Sequence, residues 1–195
     1  MSIKSLVILF SGEGTNLENI IKKLHKKEFN GVGIEVALAI TNNPNANGIK
    51  RAKRYGVDVK IIDHKNFATR EEFDKALVTA IKIVDPNLVV LAGFMRILTP
   101  IFTSNIKNAI NIHPSLLPLF KGANAIEASF KSQMRVAGVT VHMVSKELDS
   151  GKILDQCCFH RGDESFEEFK KKIHQLEYKL YPEVIKKILL NDTFD

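Results

Sequence analysis

The sequence contains only two cysteines, the adjacent Cys157 and Cys158, and they lie in a stretch with the character of a strand. Neighbouring side chains on a strand point to opposite faces, so these thiols are not placed to form a disulfide or a shared metal site. Long apolar runs are also lacking, because segments such as 6–10 and 88–94 are far too short to span a bilayer. No basic and apolar leader opens the chain. We therefore expect a cytoplasmic protein with reduced thiols.

Internal repeats and low-complexity segments are absent as well, which favours a single domain over residues 1–195. Hydrophobic residues make up 45% and charged residues 26% of the chain, as in ordinary globular proteins. The net charge is +6, but the lysine groups at 22–27 and 170–172 lie in helical patterns without interleaved aromatic residues. They indicate solvated helix faces rather than a nucleic-acid platform. A basic field of this kind would also steer a small anionic substrate.

Apolar strand patterns alternate with helical patterns through the first half of the chain. Strands are predicted at 3–10, 35–41, 58–63 and 87–93, and helices at 16–28, 46–56 and 70–84. This alternation is typical of βαβ units, in which helices cover both faces of a parallel sheet. The segments 136–144 and 152–160 are separated by a polar turn and predict an antiparallel hairpin. The fold class is therefore α/β, a Rossmann-like doubly wound domain with a mostly parallel but mixed sheet.

The end of the chain has the pattern of one long helix. It opens with a capping box formed by Ser165 and Glu168, and apolar residues then recur at helical spacing from 166 to 188. Glu177 falls in the middle of this apolar stripe, where a carboxylate without a partner would be costly. Two interpretations of Glu177 remain open, a structural salt bridge and a contact with an amine or hydroxyl of a substrate.

The first strand leads into SGEGTN at 11–16 and then into a helix. A glycine-containing turn at a helix start offers backbone N–H groups and the positive end of the helix dipole, which suits a phosphate. It is not a dinucleotide fingerprint, because Leu17 stands where the third glycine would be and no acidic residue closes the second strand. A monophosphate fits better. The alternative is a tight turn in which Asn16 caps the helix.

The stretch NIHPSLLP at 111–118 places polar side chains at the end of an apolar strand. Asn111 and His113 are two residues apart and therefore share a face, whereas Ile112 points away and Pro114 ends the strand. An amide that donates to a developing oxyanion is worth about 3 kcal/mol of transition-state stabilisation, and imidazole has a reference pKa of about 6.5. Together they suit acyl transfer, although such polar residues can also simply bond nearby backbone.

Asp149 lies in ELDSG at 147–151, between the two hairpin strands. Asp-Ser-Gly is ordinary turn chemistry, but a carboxylate near an imidazole would also orient the ring and stabilise its protonated form. No serine or cysteine lies in a G-x-S-x-G nucleophile elbow. Direct transfer of an acyl group to a substrate amine is therefore favoured over an acyl-enzyme.

These residues stand in longer motifs: SGEGTNL near the start, VVLAGFMRIL at 89–98, INIHPSLLP at 110–118, GVTVHMV at 138–144, ELDSG, and LEYKLYP at 176–182. On these motifs the chain resembles, over nearly its whole length, the folate-dependent phosphoribosylglycinamide formyltransferases of the formyltransferase superfamily. The resemblance implies formylation of glycinamide ribonucleotide in purine biosynthesis, with 10-formyltetrahydrofolate as co-substrate and without a metal. We expect a monomer or homodimer that acts on small molecules and binds neither nucleic acid nor membrane.

The resemblance also assigns residues by position. Its catalytic trio falls on Asn111, His113 and Asp149: the first two stabilise a tetrahedral oxyanion, and the carboxylate assists proton transfer. The implied ribonucleotide contacts are Gly12, Gly14, Thr15, Asn16 and Glu177. The implied folate contacts are Met95, Arg96, Ile97, Leu98 and Asp149. The chain differs from the family's pattern at Glu13, inside the proposed phosphate loop, and at Asn124, where the family often has a histidine.

Three alternative functions remain open at this level. A methionyl-tRNA formyltransferase would use the same chemistry but carries an additional C-terminal domain, which we do not expect here. A formyltetrahydrofolate hydrolase would pass the formyl group to water and usually follows a regulatory domain. The third alternative belongs to a different class, a non-catalytic nucleotide-binding module. The combination of an oxyanion donor, a base and a carboxylate argues against that module.

Overall fold

The hydrophobic runs of the sequence form the strands of one sheet in a computed structural model that describes residues 2–191. The strands are β1 (Ser2–Phe10), β2 (Lys27–Phe29), β3 (Val32–Thr41), β4 (Val59–Ile61), β5 (Leu88–Leu91), β6 (Ala109–His113), β7 (Val136–Met143) and β8 (Ile153–His160). The α-helices are α1 (Thr15–Leu24), α2 (Gly48–Arg54), α3 (Arg70–Val84), α4 (Pro100–Asn105), α5 (Ala125–Lys131) and α6 (Phe166–Asn191). A short 3-10 turn spans His64–Asn66.

The strands are ordered β2-β3-β1-β5-β6-β7-β8, and β4 pairs with β3. The pairs β1–β3, β1–β5, β3–β4 and β5–β6 are parallel, whereas β2–β3, β6–β7 and β7–β8 are antiparallel. This arrangement confirms the mixed α/β sheet and the C-terminal hairpin. On β8, the free thiols of Cys157 and Cys158 are half-buried and exposed respectively, as expected of neighbours on a strand.

Alternate residues of β1 face two separate layers of helices. Leu6, Ile8 and Phe10 share a buried core with α1 and α6. Val7 and Leu9 share a second core with α3 and α4 on the opposite face of the sheet. Burying an aliphatic side chain of this size stabilises the fold by about 1.5–3 kcal/mol. A strand that is apolar on both faces is therefore most stable in the interior of the sheet, which is where β1 lies.

The predicted helix at 16–28 is wrong in its last four residues. α1 ends at Leu24, and the following residues form β2, which is antiparallel to β3. The chain reverses through Asn30 and Gly31, which have φ values of 50° and 79°. An Asn-Gly pair with positive φ at both residues makes a two-residue hairpin turn. This turn and the pairing with β3 outweigh the helical spacing of the lysines. The other predicted strands and helices are confirmed, and α3 has the predicted limits.

The long C-terminal helix begins as predicted. Ser165 Oγ accepts a hydrogen bond from the Glu168 backbone N–H (3.3 Å), and Glu168 Oε2 accepts one from the Ser165 N–H (2.8 Å). Most of the predicted apolar stripe is buried, including Phe169, Ile173 and Val184. Within residues 2–191, no helix combines the length and the apolar character needed to cross a membrane.

Tyr181 is the largest fully buried side chain of the described residues and ties α6 to the sheet. Its hydroxyl donates to the Leu91 carbonyl (2.8 Å) and also lies 3.1 Å from the Ile110 carbonyl. Burial raises the pKa of the Tyr181 hydroxyl well above its usual value, so the group stays protonated and remains a donor. One hydroxyl therefore joins the helix to the adjacent strands β5 and β6.

We expect Tyr181→Phe to lower the free energy of unfolding by about 1–2 kcal/mol, because a buried carbonyl loses its donor without a change in packing volume. Urea unfolding of the wild type and the variant would measure this difference. Tyr178→Phe, at a half-buried position on the same helix, is the matched control and should change stability less. Equal stabilities for Tyr181→Phe and the wild type would contradict a structural role for the hydroxyl.

Candidate active site

The carboxyl ends of β1, β3, β5 and β6 meet at one edge of the sheet, where two cavities open. The main cavity has a volume of about 780 Å³ and is lined by the 11–16 loop, the end of β3, the start of the 93–98 loop, and residues of α6. The small cavity, of about 70 Å³, is lined by the rest of the 93–98 loop, by β6 and β7, and by the 144–149 segment. Arg96 lines both cavities. Ligands bind at this edge in open α/β sheets.

The 11–16 loop depends on a close approach between two glycines. Gly14 has a φ of 71° and stands at the N-cap of α1, and a Cβ there would lie 2.5 Å from Gly48 Cα. The Gly48 N–H also donates to the Gly12 carbonyl (3.1 Å). The first N–H groups of α1 have no partner within the helix, which makes this end a suitable anion site. Gly12, Gly14, Thr15 and Asn16, the residues assigned to the phosphate, all line the main cavity.

Asn16 does not cap α1, so that alternative is wrong. Its Nδ2 instead donates to Glu177 Oε2 (3.2 Å), which joins the 11–16 loop to α6. Glu13, the unexpected acid of this loop, is exposed and accepts a hydrogen bond from Asn47 Nδ2 (2.8 Å) at the start of α2. Asn47 therefore engages the carboxylate from outside the loop.

Glu177 is 5% exposed and has the partners that a buried carboxylate requires. Besides Asn16, it faces the Nδ1 of His174 at 2.8 Å, one turn earlier on α6. It also lines the main cavity. The structure therefore combines the two interpretations of this residue, because Glu177 has a structural partner and still faces the space where a ligand could bind.

His113 and Asp149 form a close pair beside the small cavity. The Nδ1 of His113 lies 3.4 Å from Asp149 Oδ2, and both side chains are about 6% exposed. Asn111 lies on the same face of β6 and lines the small cavity, whereas Ile112 lines the main cavity. The structure therefore brings together the three residues of the predicted trio and confirms that Ile112 points the other way.

The trio is also bonded to the loop that follows β6. His113 Nε2 lies 2.8 Å from the Phe120 carbonyl, and the Gly122 N–H donates to Asp149 Oδ2 (2.9 Å). Asp149 itself has a φ of 49°, a left-handed conformation that aspartate adopts more readily than most residues. The backbone of residues 118–124 thus fixes both the imidazole and the carboxylate.

His142 is part of this group and was not identified from the sequence. It is 3% exposed, lies opposite Asn111 in the β6–β7 pair, and places Nε2 3.3 Å from Asn111 Nδ2 and 3.7 Å from Asp149 Oδ1. Burial lowers the pKa of the His142 imidazole. One signal was present in GVTVHMV: the polar Thr140 and His142 alternate with apolar residues and so share one face of the strand.

Four of the five residues assigned to folate, Arg96, Ile97, Leu98 and Asp149, line the small cavity. Met95 and Ile97 are exposed by 74% and 57%, and Leu148 across the cavity is exposed by 53%. The Arg96 guanidinium lies over the Phe73 ring, 5.9 Å from its centroid. Exposed apolar side chains grouped around a cavity are typical of a site for a ligand with an apolar face. Leu98 also lines the small cavity, whereas Met95 lines the main one.

Ser11 joins the 11–16 loop to the 93–98 loop, and this role was not identified from the sequence. Its hydroxyl accepts from the Met95 N–H (2.8 Å) and donates to Asn42 Oδ1 (2.5 Å). His64, next to Asn42, and Lys65 bring basic groups to the same end of the main cavity. Among residues 2–191, no cluster of three or more histidine, cysteine, aspartate or glutamate side chains is placed to hold a metal ion.

Comparison with protein families and with known proteins gives a consistent result. The model of the formyl transferase family matches residues 4–185. The phosphoribosylglycinamide formyltransferase of Haemophilus influenzae is 37% identical over 186 residues, which cover 94% of this chain and 86% of that protein. The trifunctional purine biosynthetic protein adenosine-3 of Gallus gallus is 37% identical over 179 residues, 91% of this chain but only 18% of that longer protein.

Solved structures agree with these relatives. The crystal structure of phosphoribosylglycinamide formyltransferase from Campylobacter jejuni has a TM-score of 0.93 and 56% sequence identity, and the match covers 95% of this chain and 97% of that one. The corresponding enzyme from Coxiella burnetii has a TM-score of 0.90 and 38% identity, with 97% of this chain and 89% of that chain covered. The α/β architecture is therefore shared with phosphoribosylglycinamide formyltransferase structures.

We expect Gly14→Ala to destabilise the protein more than Gly31→Ala does, by about 1–3 kcal/mol. Both glycines have positive φ, so an alanine is strained at either position. Only at Gly14 does the new Cβ also collide with backbone, whereas no atom lies within 4 Å of a Cβ at Gly31. Chemical unfolding of both variants would measure the difference. Equal losses of stability would show that the glycine contact at Gly48 does not constrain the loop.

Proposed function

The chain belongs to the formyl transferase family, and we propose that it transfers the formyl group of 10-formyltetrahydrofolate to the amine of glycinamide ribonucleotide in de novo purine biosynthesis. Similarity to phosphoribosylglycinamide formyltransferases over almost the whole chain supports this substrate. The observation that carries the proposal is the grouping of Asn111, His113 and Asp149: Asn111 and Asp149 line the small cavity, and the neighbours of His113, Ile112 and Pro114, line the main one. This placement would let two bound substrates meet at one set of donor and acceptor groups.

The main cavity suits the ribonucleotide. Its phosphate would bind at the N-terminus of α1, where Gly12, Gly14, Thr15 and Asn16 line the cavity and the helix dipole favours an anion. Glu177, held by His174 and Asn16, is placed to accept hydrogen bonds from a ribose hydroxyl or an amine. Glu13 does not argue against a phosphate here, because Asn47 engages its carboxylate from outside the loop.

The small cavity suits the folate. Its wall combines the apolar Ile97 and Leu98 with residues of the 144–149 segment, and Arg96 lines both this cavity and the main one. Flat heteroaromatic rings bind between apolar side chains while a few polar groups fix their orientation. Met95 stands beside the main cavity, where it would contact the part of the folate nearest the ribonucleotide.

The reaction would begin when the substrate amine attacks the formyl carbon, forming a C–N bond and a tetrahedral oxyanion. The Asn111 amide and protonated His113 would stabilise that oxyanion by hydrogen bonds, and each such donor is typically worth about 3 kcal/mol. Asp149 would accept the proton from the attacking amine, directly or through water. The bond between the formyl carbon and N10 would then break, and N10 would take a proton as tetrahydrofolate leaves.

One contact in the structure must change during this reaction. His113 faces Asp149 with Nδ1 and the Phe120 carbonyl with Nε2, so both ring nitrogens already have oxygen partners. Because a carbonyl can only accept, the ring donates through Nε2 in this arrangement. His113 would reach the oxyanion through Nε2 only after the Phe120 carbonyl moves away, so we infer that residues 118–124 rearrange when substrates bind.

We expect His113→Ala and Asp149→Asn each to lower kcat by about 100- to 10,000-fold, because the oxyanion or the proton loses its partner. Release of tetrahydrofolate from 10-formyltetrahydrofolate in the presence of glycinamide ribonucleotide would measure kcat. His160→Ala, at an exposed histidine on β8, is the control and should keep wild-type activity.

The same assay separates the alternative functions. Release that requires the ribonucleotide supports the proposed function, whereas equal release with water as the only acceptor would identify a hydrolase. If the wild type is active but His113→Ala and Asp149→Asn remain near normal, the catalytic assignment is wrong. Absence of release under both conditions would contradict the proposed substrates.

We expect Glu177→Gln to raise the KM for the ribonucleotide about 10-fold or more and to leave the KM for the folate nearly unchanged, since hydrogen bonds to a charged group are worth about 1.5–3 kcal/mol. Steady-state kinetics with each substrate varied in turn would show this split. Glu183→Gln changes an exposed glutamate of α6 and serves as the matched control. Unchanged constants for Glu177→Gln would restrict Glu177 to a structural role.

A further inference from the structure

We propose that His142 is a positioning residue that fixes the orientation of the Asn111 side-chain amide toward the reacting formyl group. This inference rests on the proposed function, because it concerns the role given to Asn111 as an oxyanion donor. His142 lines the small cavity, but this role requires no bond between His142 and a substrate. It would act by deciding whether the nitrogen or the oxygen of the amide faces the oxyanion.

The register of the sheet places the two side chains together. In the antiparallel β6–β7 pair, Asn111 lies opposite His142 and His113 lies opposite Thr140. Residues directly opposite one another have side chains on the same face, within contact distance. The Thr140 hydroxyl supports the segment after β6, because it donates to the Ser115 carbonyl (2.7 Å) and accepts from the Leu117 N–H (3.0 Å). On one face of β7, His142 therefore contacts Asn111 of β6, and Thr140 contacts the segment that follows β6.

The hydrogen bonds of His142 define its tautomer. Nδ1 lies 2.9 Å from the Met143 carbonyl, and a carbonyl can only accept, so Nδ1 carries a hydrogen. Two charged or titratable groups face the ring, Asp149 at 3.7 Å and His113 beyond it. Asp149 favours the protonated ring, but burial has the larger effect and lowers the pKa of His142. A neutral ring with a hydrogen on Nδ1 has a lone pair on Nε2.

This lone pair selects one orientation of Asn111. The Asn111 amide group that faces Nε2 at 3.3 Å must donate, so it is the NH2 group and not the carbonyl oxygen. One N–H bonds His142, and the second N–H stays available to an oxyanion. In the flipped amide, two lone pairs would face each other at His142, and the amide oxygen would occupy the place of the donor. His142 therefore makes the catalytic orientation the favourable one.

A pair of variants tests this role. His142→Leu removes the acceptor, whereas His142→Gln keeps an oxygen that can reach the position of Nε2. We expect His142→Leu to lower kcat about 10- to 100-fold, within the range for losing one oxyanion donor, with little change in either KM. His142→Gln should retain most of the activity. Equal and large losses for both variants would contradict a role as acceptor.

A double-mutant cycle separates positioning from a general structural effect. In an Asn111→Ala background there is no amide left to orient, so His142→Leu should lower kcat by less than about twofold. Full and additive losses in this background would overturn the inference. His160→Leu, at the exposed histidine of β8, controls for the loss of a histidine from the hairpin.

The tautomer of His142 can be measured in the wild type, without an activity assay and without a variant that must fold. In the wild type at neutral pH, ¹⁵N chemical shifts of the His142 ring should show a hydrogen on Nδ1 and none on Nε2. A ring with its hydrogen on Nε2, or a charged ring, would contradict the inference. If the wild type transfers no formyl group, the proposed function fails by itself, and the NMR result still decides the orientation of the amide.

Discussion

The hydrogen bond of the Tyr181 hydroxyl constrains most of the site. This group joins α6 to the carbonyl of Leu91, the last residue of β5, and to the carbonyl of Ile110, near the start of β6. α6 carries Glu177, β5 leads into the 93–98 loop, and β6 ends with Asn111 and His113. A buried hydroxyl requires a partner. The three segments therefore keep one spacing, and the buried Tyr181 side chain, which lines neither cavity, sets the position of the cavity walls.

A second set of contacts joins the loops that line the main cavity. Ser11 bonds both Met95 and Asn42, and Asn16 bonds Glu177, so the 11–16 loop is connected to each neighbouring wall. The Ser11 bonds lie at strand ends, where the backbone ladder stops and N–H and C=O groups need other partners, whereas Asn16 and Glu177 lie on helices. The same residue types that make the loops polar enough for a ligand therefore also hold the loops in place.

Local patterns in the sequence were sufficient to predict much of the fold and part of the candidate site. Alternating apolar segments predicted the sheet, the capping box predicted the start of α6, and the spacing of Asn111 and His113 predicted their shared face. The contribution of His142 depends on which residue of β7 lies opposite Asn111, and register between strands 31 residues apart is not visible in either segment. The same holds for the contact between Glu13 and Asn47. At β2 the Asn-Gly turn was present but was outweighed by the lysine pattern.

The left-handed backbone of Asp149 limits which residues this position accepts. Glutamate would keep the negative charge, but its longer side chain lacks the tolerance of aspartate for positive φ. Asparagine would keep the backbone but lose the charge. Each of these replacements at position 149 thus loses either the favourable backbone conformation or the carboxylate. Aspartate is the residue that supplies both.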